Sequence, residues 1–277
     1  MYRQIRQRKF PFRNTPKGAV VPAAERLDGA DLRIGIPDVE VASVVAAFGL
    51  DTREASERAI HLLGNLSGAP ARLMAAGATA RLERAPRRSE VVVQLRPVRR
   101  AQLGPEWSDF HSDSGHRLRI TEEWAGTQRI LVATLTASLD AGDPAPVPAQ
   151  APVSAQAPVA AGPGRGLLSP RQRNFLADCA GIAVLEDRLT LLGPIRERAW
   201  TLRRDDLSFR VRRWTARWPG NTPGLDLADL EVQTSAADAP FLFPALRSLA
   251  RQHQVDTEAE ADPIAIRAMT WASADQC

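Results

Sequence analysis

Cysteine is almost absent: the chain of 277 residues has two, Cys179 and Cys277. Two thiols exclude a disulfide-stapled scaffold and a cysteine-rich zinc module. The four histidines, His61, His111, His116 and His253, do not fall at metal-ligand spacing with Cys179. His111 and His116 alone are neighbours, in a stretch that reads as a loop. No apolar run approaches the ~18 residues a membrane-crossing helix needs. The basic start, Met1 to Arg13, lacks the apolar core of a secretory signal, so a cytoplasmic protein is the expectation. A nucleophile elbow, a P-loop and a dinucleotide fingerprint are all missing, and GPGRG at 162–166 reads as spacer glycine, not a phosphate cradle. The six tryptophans and eight phenylalanines read as core and not as base-stacking platforms.

Lysine is scarce too. Two lysines stand beside 34 arginines, and against 32 acids they leave a net charge of +4. That charge is unevenly spread. Residues 1–18 carry Arg3, Arg6, Arg8, Lys9, Arg13 and Lys17 with no acid, a local +6, so the rest of the chain is at −2. The basic balance belongs to an N-terminal arm and not to the body. Such an arm can steer toward nucleic-acid phosphates or anionic membranes, and its other reading is a solvated terminus. Contact with nucleic acid through residues 1–18 is therefore one partner expectation. Apolar residues make up 44%, enough to exclude wholesale disorder and to build a core.

One boundary is plain. Residues 141–166, AGDPAPVPAQAPVSAQAPVAAGPGRG, hold six prolines and almost no large apolar side chain, which suits an extended spacer. On either side, alternation marks strands at Leu32–Ile36, Arg58–Leu63, Ala78–Arg84, Glu90–Arg96, Arg117–Trp124 and Ile130–Leu139. After the spacer, strands are expected at Leu189–Leu192, Arg198–Leu202, Ser208–Thr215, Asp229–Thr234 and Ile264–Trp271. Helices are expected at Val39–Phe48, Pro70–Ala76, Pro170–Cys179 and Phe241–His253, the third with Ser169 as N-cap and proline at its first position. The pattern is α+β, and so many antiparallel strands favour a closed β-barrel of about eight strands with flanking helices.

Seven segments, in order, resemble one family. GLDTREASERAIHLLGN (49–65), MAAGATARLER (74–84) and EVVVQLRPV (90–98) resemble the first half of the CYTH domains, also called triphosphate tunnel metalloenzymes. LLSPRQRNFLADCAG (167–181), LTLLGPI (189–195), FRVRRW (209–214) and LADLEVQ (227–233) resemble its second half. The likeness runs through residues 28–271 and is greatest to actinobacterial members. It implies an antiparallel β-tunnel lined by charge, in which basic side chains hold a triphosphate or other organic phosphate and glutamates bind Mg²⁺ or Mn²⁺. Members hydrolyse triphosphates or cyclise ATP. It also implies one domain, 28–277, in two halves (28–140 and 167–277) behind a disordered arm, 1–27.

Strand alternation is compatible with such a lining. Arg81 shares a face with Glu83, Gln94 with Arg96, Arg119 with Thr121 and Glu123, Arg210 with Arg212, and Asp229 with Glu231 and Gln233. The fork of arginine matches phosphate, and Mg²⁺ takes hard oxygen ligands. On the resemblance, Arg33, Arg81, Arg96, Arg119, Arg210 and Arg267 are the phosphate ligands. Asp31, Glu123, Asp229 and Glu231 are the metal ligands, with Glu231 and Glu123 catalytic.

The family pattern is also broken in several places. Its opening E-x-E-x-K is reduced to Gly29, Asp31 and Arg33, or else falls at Ile5, Gln7 and Lys9. Glu83 stands where a tunnel arginine is expected, Gln94 where a lysine is, and Thr121 and Arg212 where glutamates are. A late K-T-R motif survives only as Arg267. Three functions follow side by side: a phosphate-ligand binder with eroded catalysis, an active metal-dependent triphosphatase, and an interaction protein whose arm contacts nucleic acid. A further possibility is that the tunnel arginines pair with Glu83, Glu123, Asp229 and Glu231 and fill the interior with ion pairs.

Overall fold

The computed structural model describes residues 26–37, 40–64, 71–113, 115–139, 166–184, 189–204, 207–216 and 224–255. The arm, the spacer up to residue 165, the strand expected at Ile264–Trp271, Arg267 and Cys277 lie outside the described residues.

Nine strands close into one barrel. They are β1 (Gly29–Ile36), β2 (Ser56–Gly64), β3 (Ala78–Ala85), β4 (Arg88–Leu95), β5 (His116–Ala125), β6 (Gln128–Leu139), β7 (Thr190–Arg204), β8 (Leu207–Ala216) and β9 (Leu225–Thr234). Around the ring the order is β1-β5-β6-β4-β3-β2-β7-β8-β9, and β9 returns to β1. The expected α+β barrel is present, with nine strands in place of eight. Strand directions cannot alternate all the way round an odd ring, so at least one neighbouring pair must be parallel. That pair is β1 and β5; the other contacts are antiparallel.

The segments expected at Leu189–Leu192, from Thr190 onward, and at Arg198–Leu202 belong to the single strand β7. Pro194 reads as a strand end because it cannot donate to a ladder. It is accommodated here at an irregularity, where the β2–β7 register slips between Ile60 and Leu62. Gly193 makes the slip possible: its φ is 138°, and a Cβ there would lie 2.8 Å from the Ile60 carbonyl oxygen. His116 begins β5 and does not lie in a loop; its Nε2 is 2.9 Å from Ser169 Oγ.

The outside of the barrel carries two large apolar patches and several ion pairs, and helices pack against the barrel. These are α1 (Val41–Ala47), α2 (Ala71–Ala75), α3 (Pro105–Ser108), α4 (Pro170–Ala180) and α5 (Ala239–Gln252). Ser169 Oγ accepts from Gln172 N at 3.1 Å while the Gln172 side chain accepts from Ser169 N, and Gly181 ends α4 in the left-handed region. Phe175, Leu176 and Cys179 of α4 pack with Leu82, Val91, Val93 and Leu135. Buried Gln172 donates to the Val91 and Leu135 carbonyls, which ties the helix to β4 and β6. Phe243, Leu246 and Leu249 of α5 cover Leu32, Ile34, Val211 and Leu230 on β1, β8 and β9. No helix of the described residues is long and apolar enough to cross a membrane.

His61 sits in this outer layer and carries a pH dependence. Burial, then the charge of Arg84, lower its pKa from 6.5 to about 4. A base with a lowered folded pKa favours the fold above its unfolded pKa, and that contribution is lost as pH falls from 6.5 toward 4. Between about pH 7 and about pH 4.5, urea melts should show roughly 2 kcal/mol more loss in the wild type than in His61→Leu. Equal slopes in the two proteins would remove His61 as the cause.

Candidate functional site

With apolar side chains turned outward under the helices, alternation turns the charged positions inward. The register places Arg33 and Arg210 opposite Glu231, Arg212 opposite Asp229, Asp31 opposite Glu123, and Arg58 opposite Glu197. Arg212 grips Asp229 with two bonds, Nε to Oδ1 at 3.0 Å and Nη2 to Oδ2 at 2.6 Å, and reaches Glu231 at 3.3 Å. Arg33 links Glu231 at 3.5 Å to Glu123 at 3.3 Å, and Arg96 donates twice to Glu123, at 3.0 and 2.6 Å. A second group joins β2, β3 and β7. Arg58 lies 2.5 Å from Glu83 and 2.6 Å from Glu197, Arg81 lies 2.6 Å from Glu83, and Trp214 Nε1 donates to Glu197 at 2.8 Å.

Electrostatics follow from this pairing. Burial pushes the Glu123 carboxyl up, but Arg33 and Arg96 outweigh it and hold Glu123 below the usual carboxylate range. Glu83 is lowered in the same way by Arg81 and Arg58, and Glu231 by Arg212 and Arg33. Burial raises the Asp229 carboxyl above its usual range, and the charge of Arg212 with its two hydrogen bonds opposes that rise. Arg212 itself is opposed by burial and carried well above its ordinary value by Asp229 and Glu231.

The two ends of the interior differ. Ile60, Leu62, Leu192, Ile195, Trp214 and Leu227 form an apolar cluster with Met74 of α2. They occupy the inward face, since Leu62 stands opposite Arg81 and Trp214 opposite Glu197. Away from this plug, side-chain exposure rises from 10% at Arg212 through 22% at Arg33 to 37% at Arg119, and Arg210 is exposed. Arg119 meets Asp31 only at 3.7 Å, and Arg210 makes no ion pair among the described residues. The interior is thus closed by apolar side chains at one end, and at the other it presents two guanidiniums with spare capacity.

No family model and no curated protein matches the sequence. Solved structures do match. HpAC1 from Hippeastrum, a candidate adenylyl cyclase described as having a dominant triphosphatase activity, aligns over 87% of this chain and 95% of its own, with 11% identity and a TM-score of 0.50. A candidate adenylate cyclase from Bacillus halodurans, bh2851, aligns over 86% and 96%, with 7% identity and a TM-score of 0.51. The barrel is their fold.

The expected site residues can now be placed. Arg33, Arg81, Arg96, Arg119 and Arg210 all lie on inward-facing positions, as do Asp31, Glu123, Asp229 and Glu231, whereas Arg267 is outside the described residues. The carboxylates are a poor fit to the Mg²⁺ or Mn²⁺ that the family resemblance implies. Glu123, Asp229 and Glu231 are each held by a guanidinium. Among the described residues, no group of three or more His, Cys, Asp or Glu side chains is placed to hold an ion.

Sequence reasoning did not single out Arg58 and Glu197. Arg58 shares its face with Ile60 and Leu62, which makes that face look apolar, and Glu197 falls in the gap left by splitting β7 at Pro194. Continuing the alternation of β7 through Ile195, Glu197 and Ala199 would have found the glutamate.

Proposed function

We propose that this chain is a divergent CYTH-type tunnel protein, of the actinobacterial type its motifs resemble, which binds a triphosphate or other phosphorylated anion without hydrolysing it. The observation that carries the reading is Arg210, exposed at an inward-facing position beside Glu231 with no ion pair among the described residues. An anion arriving there meets Arg210 and the loosely held Arg119 first, with Arg33, Arg81 and Arg96 behind them. Guanidinium forks bind phosphate oxygens in pairs and keep their charge at any working pH. Arg267 is assigned to the same anion by resemblance. Glu123 and Glu231 act in this reading as positioning residues for Arg33, Arg96 and Arg212.

The triphosphatase activity described for HpAC1 makes a triphosphate the ligand to test first. Calorimetric titration with tripolyphosphate in EDTA should give saturable binding that weakens as salt is added. No heat and no thermal shift would end the proposal. The competing reading, a metal-dependent triphosphatase with Glu231 and Glu123 catalytic and Asp31 and Asp229 as further ligands, has one observation in its favour. Asp31 Oδ1 and Glu231 Oε2 are buried without a hydrogen-bond partner. Release of phosphate from tripolyphosphate on adding Mn²⁺ would establish that reading instead.

A further inference from the structure

We infer that the Arg212 guanidinium is a resident cation of the barrel: it occupies the centre of a carboxylate group that would otherwise gather a divalent ion, so the interior excludes Mg²⁺ and Mn²⁺ while that side chain is present. This inference stands apart from the phosphate reading, because neither its grounds nor its test involves a bound anion.

The geometry is that of a filled site. Arg212 is bonded twice to Asp229 and paired with Glu231, and its carbon centre lies 4.9 Å from the ring of Trp214, which packs in the apolar plug. Its side chain is only 10% exposed, so water does little to screen it. Arginine does not lose its proton in proteins, so the charge is permanent. A second guanidinium, Arg33, stands on the other side of Glu231 and links it to Glu123. A divalent ion entering this group would meet two fixed like charges.

Spacing works in the same direction as charge. Mg²⁺ requires oxygens at about 2.0–2.1 Å in an octahedron around a single point. Contacts of 2.6 to 3.3 Å made from different nitrogens of one planar guanidinium spread the Asp229 and Glu231 oxygens around a much larger cation. This accounts for the lack, among the described residues, of any acidic group set to hold a metal, although the carboxylates face a common interior. Glu231 keeps one oxygen in reserve: the residue is 1% exposed and its Oε2 has no hydrogen-bond partner. Removing the guanidinium leaves Asp229 and Glu231 adjacent, buried and short of positive charge, a condition a divalent ion offsets.

The test uses the full chain and two readouts, thermal unfolding and the electron paramagnetic resonance signal of free Mn²⁺. Wild type and Arg212→Lys, which keeps the charge, should bind no Mn²⁺ and show no Mn²⁺-dependent shift. Arg212→Gln should melt lower in EDTA, bind about one Mn²⁺ per chain, and recover stability as Mn²⁺ is raised. Stoichiometric Mn²⁺ binding by wild type or by Arg212→Lys overturns the inference. So does an Arg212→Gln protein that takes up no Mn²⁺, including one that stays unfolded with Mn²⁺ in excess, since the ion must then be unable to replace the guanidinium.

Discussion

Glu123→Ala should destabilise the fold by about 3–5 kcal/mol, while Glu122→Ala, one residue earlier, should cost about 1 kcal/mol or less. The two glutamates differ in the face they occupy. Glu123 is 2% exposed and sits between Arg33 and Arg96, so its removal leaves two guanidiniums in the interior without their shared counter-ion. Glu122 points to the outer side, where it pairs with the exposed Arg129 at 3.1 Å and accepts from Trp124 Nε1. A typical domain has only about 5–15 kcal/mol in total, so the first variant should lose much of its resistance to urea. Equal urea midpoints for the two variants would contradict the inward assignment of Glu123.

The second large effect concerns binding. Arg210→Glu should weaken tripolyphosphate binding by about 100-fold or more, because a charge-assisted hydrogen bond of about 1.5–3 kcal/mol is replaced by repulsion. Its melting temperature should fall modestly, since Arg210 is exposed and breaks no ion pair among the described residues on leaving, but the new glutamate faces Glu231 across β8 and β9. Arg198→Ala is the control. Arg198 lies on the outer face of β7, paired with Glu57 at 2.6 Å, and its loss should leave affinity unchanged. Calorimetry on the three proteins decides the matter. An Arg210→Glu protein with wild-type affinity would move the anion away from this end of the barrel.

Both predictions depend on which side of a strand a residue occupies, and alternation gives that in part from the chain alone. Arg81 with Glu83, Arg119 with Glu123, and Asp229 with Glu231 share faces as their spacing implies, because a strand repeats every two residues whatever surrounds it. The helix α4 is legible for a similar local reason: Ser169, Pro170, Gln172 and Gly181 carry its start and stop chemistry within the segment itself. Local rules fail at Pro194, where the irregular pairing with β2 lets a proline sit within a strand.

The candidate site is legible as a list of residues and not as an electrostatic object. Six arginines could be named as phosphate ligands without knowing whether each had charge to spare. Arg33 and Glu231 stand 198 residues apart, and Arg58 and Glu197 stand 139 apart. Nothing in the spacing of one strand says which other strand will lie beside it. Ring closure decides this, including the parallel pairing of β1 with β5 that sets Asp31 opposite Glu123.

The scarcity of cysteine and lysine, the uneven charge and the two-residue alternation are properties of the chain. The alternation and the number of strands point to an α+β barrel, and the resemblance to CYTH domains is what implies that its arginines face inward. Whether an arginine is neutralised or available is a property of the ring. Arg212 and Arg210, two residues apart on one face of β8, have the same chemistry, yet the first is buried among carboxylates and the second opens to solvent without an ion pair among the described residues. Burial and counter-ions come from distant strands, so only the closed barrel separates a structural cation from one free to meet a ligand.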